Sequence, residues 1–95
     1  MEISTSSNIV TIKGNIKNIS DLSDIRGVIE SVRTRYSNII LNIEDSISIT
    51  SSVIGYLNKL VLKDSIRLEM NIGNKQLLDL IEELNLAETF NAKHL

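Results

Sequence analysis

Between Asn8 and Leu84 the spacing of apolar residues switches three times from the period of a strand to the period of a helix. Asn8-Ile9-Val10-Thr11-Ile12-Lys13 is β-branched and partly alternating, bounded by Ser6-Ser7 and Gly14-Asn15. Leu22, Ile25, Val28, Ile29, Val32 and Tyr36 then recur at helical spacing, with Asp24, Arg26, Glu30 and Arg33 between them. The run Asn38 to Ile43 is nearly continuous in apolar residues, which suits a central strand covered on both faces. A second helical stripe follows at Val53, Ile54, Leu57, Leu60 and Val61. Ile66 to Ile72 alternates strictly, as a strand with one buried face does, and Lys75 to Leu84 returns to helical spacing.

The remaining signals set boundaries. Ile3 to Thr5 reads as a first edge strand, and Gly14 as a turn or bulge beyond which Ile16 continues the second strand. Ser20 is expected to cap the first helix, with Asp21 and Asp24 in its first turn. Ser51 or Ser52 starts the second helix, which Lys63-Asp64 ends. Gly55, costly by about 1 kcal/mol inside a helix, is expected to serve close packing or a close approach. Asn85 suits a left-handed cap, and Leu86 to Phe90 a last helical turn. The order is β-β-α-β-α-β-α. Right-handed crossovers then imply an α/β domain with a mixed sheet of four to five strands and helices mainly on one face.

A chain of 95 residues suggests one domain, here 1–95, hiding roughly 60–70% of the surface that the open chain exposes. Net charge is −2, without a run of Lys or Arg, so neither nucleic acid nor acidic lipid has an electrostatic footprint. The only aromatics are Tyr36, Tyr56 and Phe90, too few for a base-stacking module. Cysteine is absent, which removes thiolate catalysis and Cys-based zinc sites. His94, next to the C-terminus, is expected to be frayed and solvated. The start of the chain has no signal-peptide pattern, and no apolar stretch approaches the ~20 residues of a membrane span. A cytoplasmic location is the expectation.

Catalytic constellations are weak. No phosphate-binding glycine motif or zinc-protease motif occurs. Glu82, Glu83 and Glu88 read as a solvated helix face rather than an acid–base pair. Glu44 and Asp45 are adjacent without the further ligands of a calcium loop. No cofactor, metal or catalytic residue is expected.

The most informative segment is Ile49-Thr50-Ser51-Ser52-Val53-Ile54-Gly55-Tyr56-Leu57, which sets two hydroxyls at the mouth of a helix just after a buried strand. Simple N-capping would explain them. The segment also resembles the signature of the STAS family, the anti-sigma-factor-antagonist fold: an apolar residue, Asp-Ser-Ser/Thr-Gly-Leu-Gly, then further apolar residues. Ser51 and Ser52 match the hydroxyl pair, Ile54 the Leu and Gly55 the second Gly. Gly14-Asn15-Ile16 resembles the end of that family's second strand, Ile39 to Ile43 its central strand, and Gly73 to Phe90 its last helix and tail. Three positions depart: Thr50 stands for Asp, Val53 for the first Gly, and Lys17 for a common acidic residue.

The resemblance implies a non-catalytic module of bacterial partner switching. Its partners would be a serine kinase or anti-sigma factor and a PP2C-type phosphatase, with phosphorylation at Ser51, or its neighbour Ser52, ending the interaction. The contact surface expected on this basis comprises Asp45, Ser48, Thr50, Ser51, Ser52, Val53 and an outward-facing Tyr56. A constitutive adaptor, or a subunit of a transporter or larger assembly without phosphorylation control, is the alternative.

Overall fold

Strands Glu2–Ser6 (β1) and Ile9–Lys13 (β2) form an antiparallel hairpin closed by Ser7, which takes a positive φ of 54°. In the computed structural model, which describes residues 1–95, the chain then alternates: helix Ile19–Val32 (α1), strand Asn38–Ile43 (β3), helix Ser51–Leu62 (α2), strand Arg67–Ile72 (β4), helix Lys75–Glu83 (α3) and strand Ala92–His94 (β5). The sheet has five strands in the order β1-β2-β3-β4-β5, and β2 to β5 run parallel. Each strand lies beside its predecessor, so right-handed crossovers put all three helices on one face.

The register explains the core. Val10, Leu41 and Met70 lie in one row, and Ile12, Ile43 and Ile72 in the next. All six are buried, with Ile39 and Leu68, beneath Ile25 and Ile29 of α1, Leu57 and Leu60 of α2, and Leu77 and Ile81 of α3. The other face carries a polar row, Ser4-Thr11-Asn42-Asn71-Lys93, in which Asn71 donates to Asn42 at 2.8 Å. The central strand is therefore buried on one face only. Ile40 and Asn42 remain half-exposed, because no helix is left to cover them.

Several boundaries differ from expectation for local reasons. Ile16 does not extend β2. It leaves the strand and turns into the core, fully buried. Asn18, not Ser20, caps α1, because Asp21 is placed to return a capping box to it: the Lys17 and Asn18 N–H groups both donate to Asp21 Oδ2 at 2.9 Å. Tyr36 lies past the end of α1. Leu86 to Phe90 make one helical turn, closed by Phe90 N–H to the Leu86 carbonyl at 2.9 Å. Buried Phe90 then anchors a fifth strand, an element beyond the β-β-α-β-α-β-α order expected. His94 is paired with Ile72 in that strand rather than frayed. Asn85 has the expected left-handed conformation, φ 59°.

Charge joins α1 to α2. The Tyr56 hydroxyl donates to Glu30 at 2.5 Å, Arg33 bridges Glu30 at 3.3 Å and Asp64 at 3.0 Å, and Lys59 reaches Asp64 at 3.3 Å. Arg26 sits over the Tyr56 ring, 5.3 Å from its centre. The bond from Tyr56, followed by Arg33, holds the Glu30 carboxyl below its ordinary range. Arg33 and then Lys59 do the same for Asp64. Burial and the Glu30 carboxylate push the Tyr56 phenol upward.

Depressed carboxyl pKa values give stability that is complete above the unfolded carboxylate range and fades as pH falls through the folded values. Wild type should therefore lose more stability between about pH 7 and about pH 3 than a Tyr56→Phe/Asp64→Asn variant, read as the shift in urea midpoint. The glycines give a second contrast. A Cβ on Gly73 would collide with the Glu44 carbonyl, whereas one on Gly27 meets nothing within 4 Å. Gly73→Ala should cost about 1–3 kcal/mol and Gly27→Ala should add about 0.5–1 kcal/mol, both measured by urea unfolding.

Candidate functional site

Two loops leave the C-terminal ends of β2 and β3, the end of a parallel sheet where α/β folds place their ligands. Their backbones would be partly orphaned without each other. Gly14 N–H donates to Asp45 Oδ1 at 2.7 Å, and Ile47 N–H to Asn15 Oδ1 at 3.0 Å. Ile16 N–H donates to Ser46 Oγ at 3.0 Å, and the Ser46 hydroxyl donates on to the Ser48 carbonyl at 2.7 Å. The Ser48 hydroxyl closes the circuit on the Ile16 carbonyl at 3.0 Å. Ser46 is fully buried. Asp45 and Ser48, expected on a contact surface, thus hold the loops together, although Asp45 remains exposed and Ser48 half-exposed.

This latch fixes the starts of α1 and α2 side by side. At α2 the cap is Thr50, whose hydroxyl accepts the Val53 N–H at 3.2 Å. Ser51 and Ser52 are thereby released from capping, and both are exposed. Ser52 and Thr50 share a cleft of about 90 Å³ with Lys17, Asn18, Ile19 and Leu22. The Asp21 carboxylate next to this cleft is held below its ordinary value by N–H donation from Asn18 and Lys17.

The other expected contact residues fall elsewhere. Val53 is 1% exposed and Tyr56 5% exposed. Positions 53, 56, 57 and 60 form the buried stripe of α2, and the phenol of Tyr56 turns to Glu30 instead of outward. Gly55 is exposed with no neighbour within 4 Å of a built Cβ, so internal close packing does not explain it. Two residues that sequence reasoning missed lie on the same surface: Ile19, 93% exposed at the first position of α1, and Ile47, 54% exposed in the loop. For Ile47 the available signal is its place between Ser46 and Ser48 in a polar loop, whereas Ile19, three residues before Leu22, falls on the α1 spacing and offers none.

Glu82, Glu83 and Glu88 are all exposed. No group of three or more His, Asp or Glu side chains is disposed to hold a metal ion, and no helix is long and apolar enough to cross a membrane. Comparison with protein-family models, curated proteins and solved structures finds no match.

The division of labour at α2 is testable by stability alone. Thr50→Val should cost about 1 kcal/mol for the lost cap. Ser51→Ala and Ser52→Ala should each stay within about 0.5 kcal/mol of wild type. Chemical denaturation of the three variants separates a capping residue from two that are free for another task.

Proposed function

We propose that the chain is a non-catalytic protein-interaction module of the cytoplasm, a partner-switching regulator that resembles anti-sigma factor antagonists and is controlled by phosphorylation of Ser51 or Ser52. The observation that carries the proposal is the pair of exposed serines at a helix start already capped by Thr50. Conformational need does not account for them. Around them, Ile19 and Ile47 expose apolar area of the kind that a partner's surface desolvates.

The physics of a switch follows from the position. Phosphorylation adds about −1.5 to −2 charges and three acceptor oxygens. At the first turn of α2 a dianion meets unsatisfied N–H groups and the positive end of the helix dipole, so the fold accommodates it. Lys17, across the cleft from Ser52, supplies an opposite charge. Against a docked apolar partner the same dianion would have to shed its water without compensation, so the partner leaves. The partners in this reading are a serine kinase or anti-sigma factor and a PP2C-type phosphatase.

A constitutive adaptor is the second reading. It is favoured by Thr50, whose hydroxyl is committed to the helix at the position where the family resembled carries Asp.

Mass-spectrometric phosphosite mapping on protein from its own host, under several growth conditions, separates the two. The switch requires phosphate on Ser51 or Ser52, and a Ser51→Asp or Ser52→Asp variant that binds the captured partner about tenfold or more weakly while remaining folded. Ile19→Asp and Ile47→Asp should weaken the same interaction in both readings. Absence of phosphate in every condition, with affinity unchanged in the Asp variants, supports the constitutive adaptor.

A further inference from the structure

We propose that the chain pairs with a second copy of itself through the outer edge of β1, making a continuous ten-stranded sheet. The proposal does not depend on the phosphorylation switch.

The two edges of the sheet are built differently. β5 is three residues long and carries Lys93 and His94, a short and charged edge of the kind that discourages further pairing. β1 runs five residues, Glu2-Ile3-Ser4-Thr5-Ser6, with no Lys, no Pro and an unbroken register against β2. Every second residue of such a strand points its N–H and C=O away from the sheet. The only charge on β1 is Glu2 at its first position, and no Lys, Pro or bulge blunts the rest of the edge.

The sequence of β1 is also complementary to itself. In an antiparallel pair about a two-fold axis at Ser4, Ser4 faces Ser4 of the second copy, Ile3 faces Thr5, and Glu2 faces Ser6. No like charges meet. Ile3 and Thr5 pair with Ile12 and Val10 within the hairpin, so both side chains lie on the helix-bearing face.

On that face, between β1 and α1, runs the largest groove on the molecule, about 440 Å³, lined in part by Thr5, Gly27, Val28, Val32 and Tyr36. Gly27 leaves its side open, since a Cβ there would touch nothing. The two-fold register sets Ile3 of the second copy directly beside Thr5, at the mouth of this groove, and does so twice. Main-chain pairing gives affinity, and the seated isoleucines give register. Contact limited to one strand and one groove per copy makes a weak, concentration-dependent dimer.

Sedimentation velocity on the full chain over a wide concentration range tests this, together with two variants. Wild type should shift from monomer to dimer as concentration rises. Thr5→Lys, a change at an exposed site, should raise the dissociation constant about tenfold or more with an unchanged circular dichroism spectrum. The chain has no native cysteine, so a spin label on Ser4→Cys reports the seam directly. A short label-to-label distance that appears with the dimer upholds the two-fold at Ser4, and it alone decides if Thr5→Lys does not fold. A wild-type chain that stays monomeric, a dimer indifferent to Thr5→Lys, or labels far apart in the dimer overturns the proposal.

Discussion

The hydroxyl of Ser46 accepts the N–H of Ile16 and donates to the carbonyl of Ser48, with no access to solvent. Much of what is distinctive about this domain depends on that exchange. A buried backbone N–H without a partner is costly, and Ile16 can enter the core only because Ser46 meets its amide there. Once Ile16 is seated, the chain from Gly14 to Asn18 has a fixed course, and so has the start of α1. The reciprocal bond from Ser48 to the Ile16 carbonyl fixes the approach to Thr50, and so the start of α2. Two helix starts that belong to different crossovers are therefore set by one small polar network and not by apolar packing alone.

Nearby, Gly73 extends the same logic. Its N–H donates to the Ile43 carbonyl at 2.8 Å while its missing side chain lets the Glu44 carbonyl come close. The ends of β3 and β4 are thus drawn together beneath the loop that carries Ser46. Hydrogen bonds tie the backbone on the site side of the sheet, and the side chains standing on it are Lys17, Ile19, Ile47, Ser51 and Ser52.

What the sequence disclosed follows from how local each determinant is. β3, β4 and α2 were legible because their periods are strong and their ends lie at polar clusters. The start of α1 differs from the Ser20 expected although its signal is present: Asn18 stands three residues before Asp21, the spacing of a capping box, whereas Ser20 has only its own hydroxyl to offer. Tyr56 was misplaced because the apolar stripe through 53, 57 and 60 is equally well extended through 54 and 61 or through 56, and only contact with Glu30 of another helix decides between them. β5 has three residues and no period to read. Its existence rests on Phe90 being buried and on Asn91, whose amide donates to the Leu68 carbonyl at 2.9 Å. Ser46 was illegible, since a serine in a polar loop looks solvated until the loop opposite is known.

Pairing at β1 and docking at the starts of α1 and α2 would be related by symmetry. A two-fold axis at Ser4 perpendicular to the sheet keeps both sets of helices on one face and reverses the strand direction between copies. The loops after β2 and β3 of one copy then point away from those of the other, at opposite ends of the joined sheet. Pairing at β1 leaves Ile19, Ile47, Ser51 and Ser52 uncovered, because the edge strand lies beside β2 and not above its C-terminal end. A paired molecule would therefore present two separate docking surfaces facing opposite ways. Two partners could bind without competing, and a partner that is itself dimeric would gain avidity only if its own two sites span the width of the sheet. Geometry of that kind lets weak self-association select among partners that a single surface would bind alike.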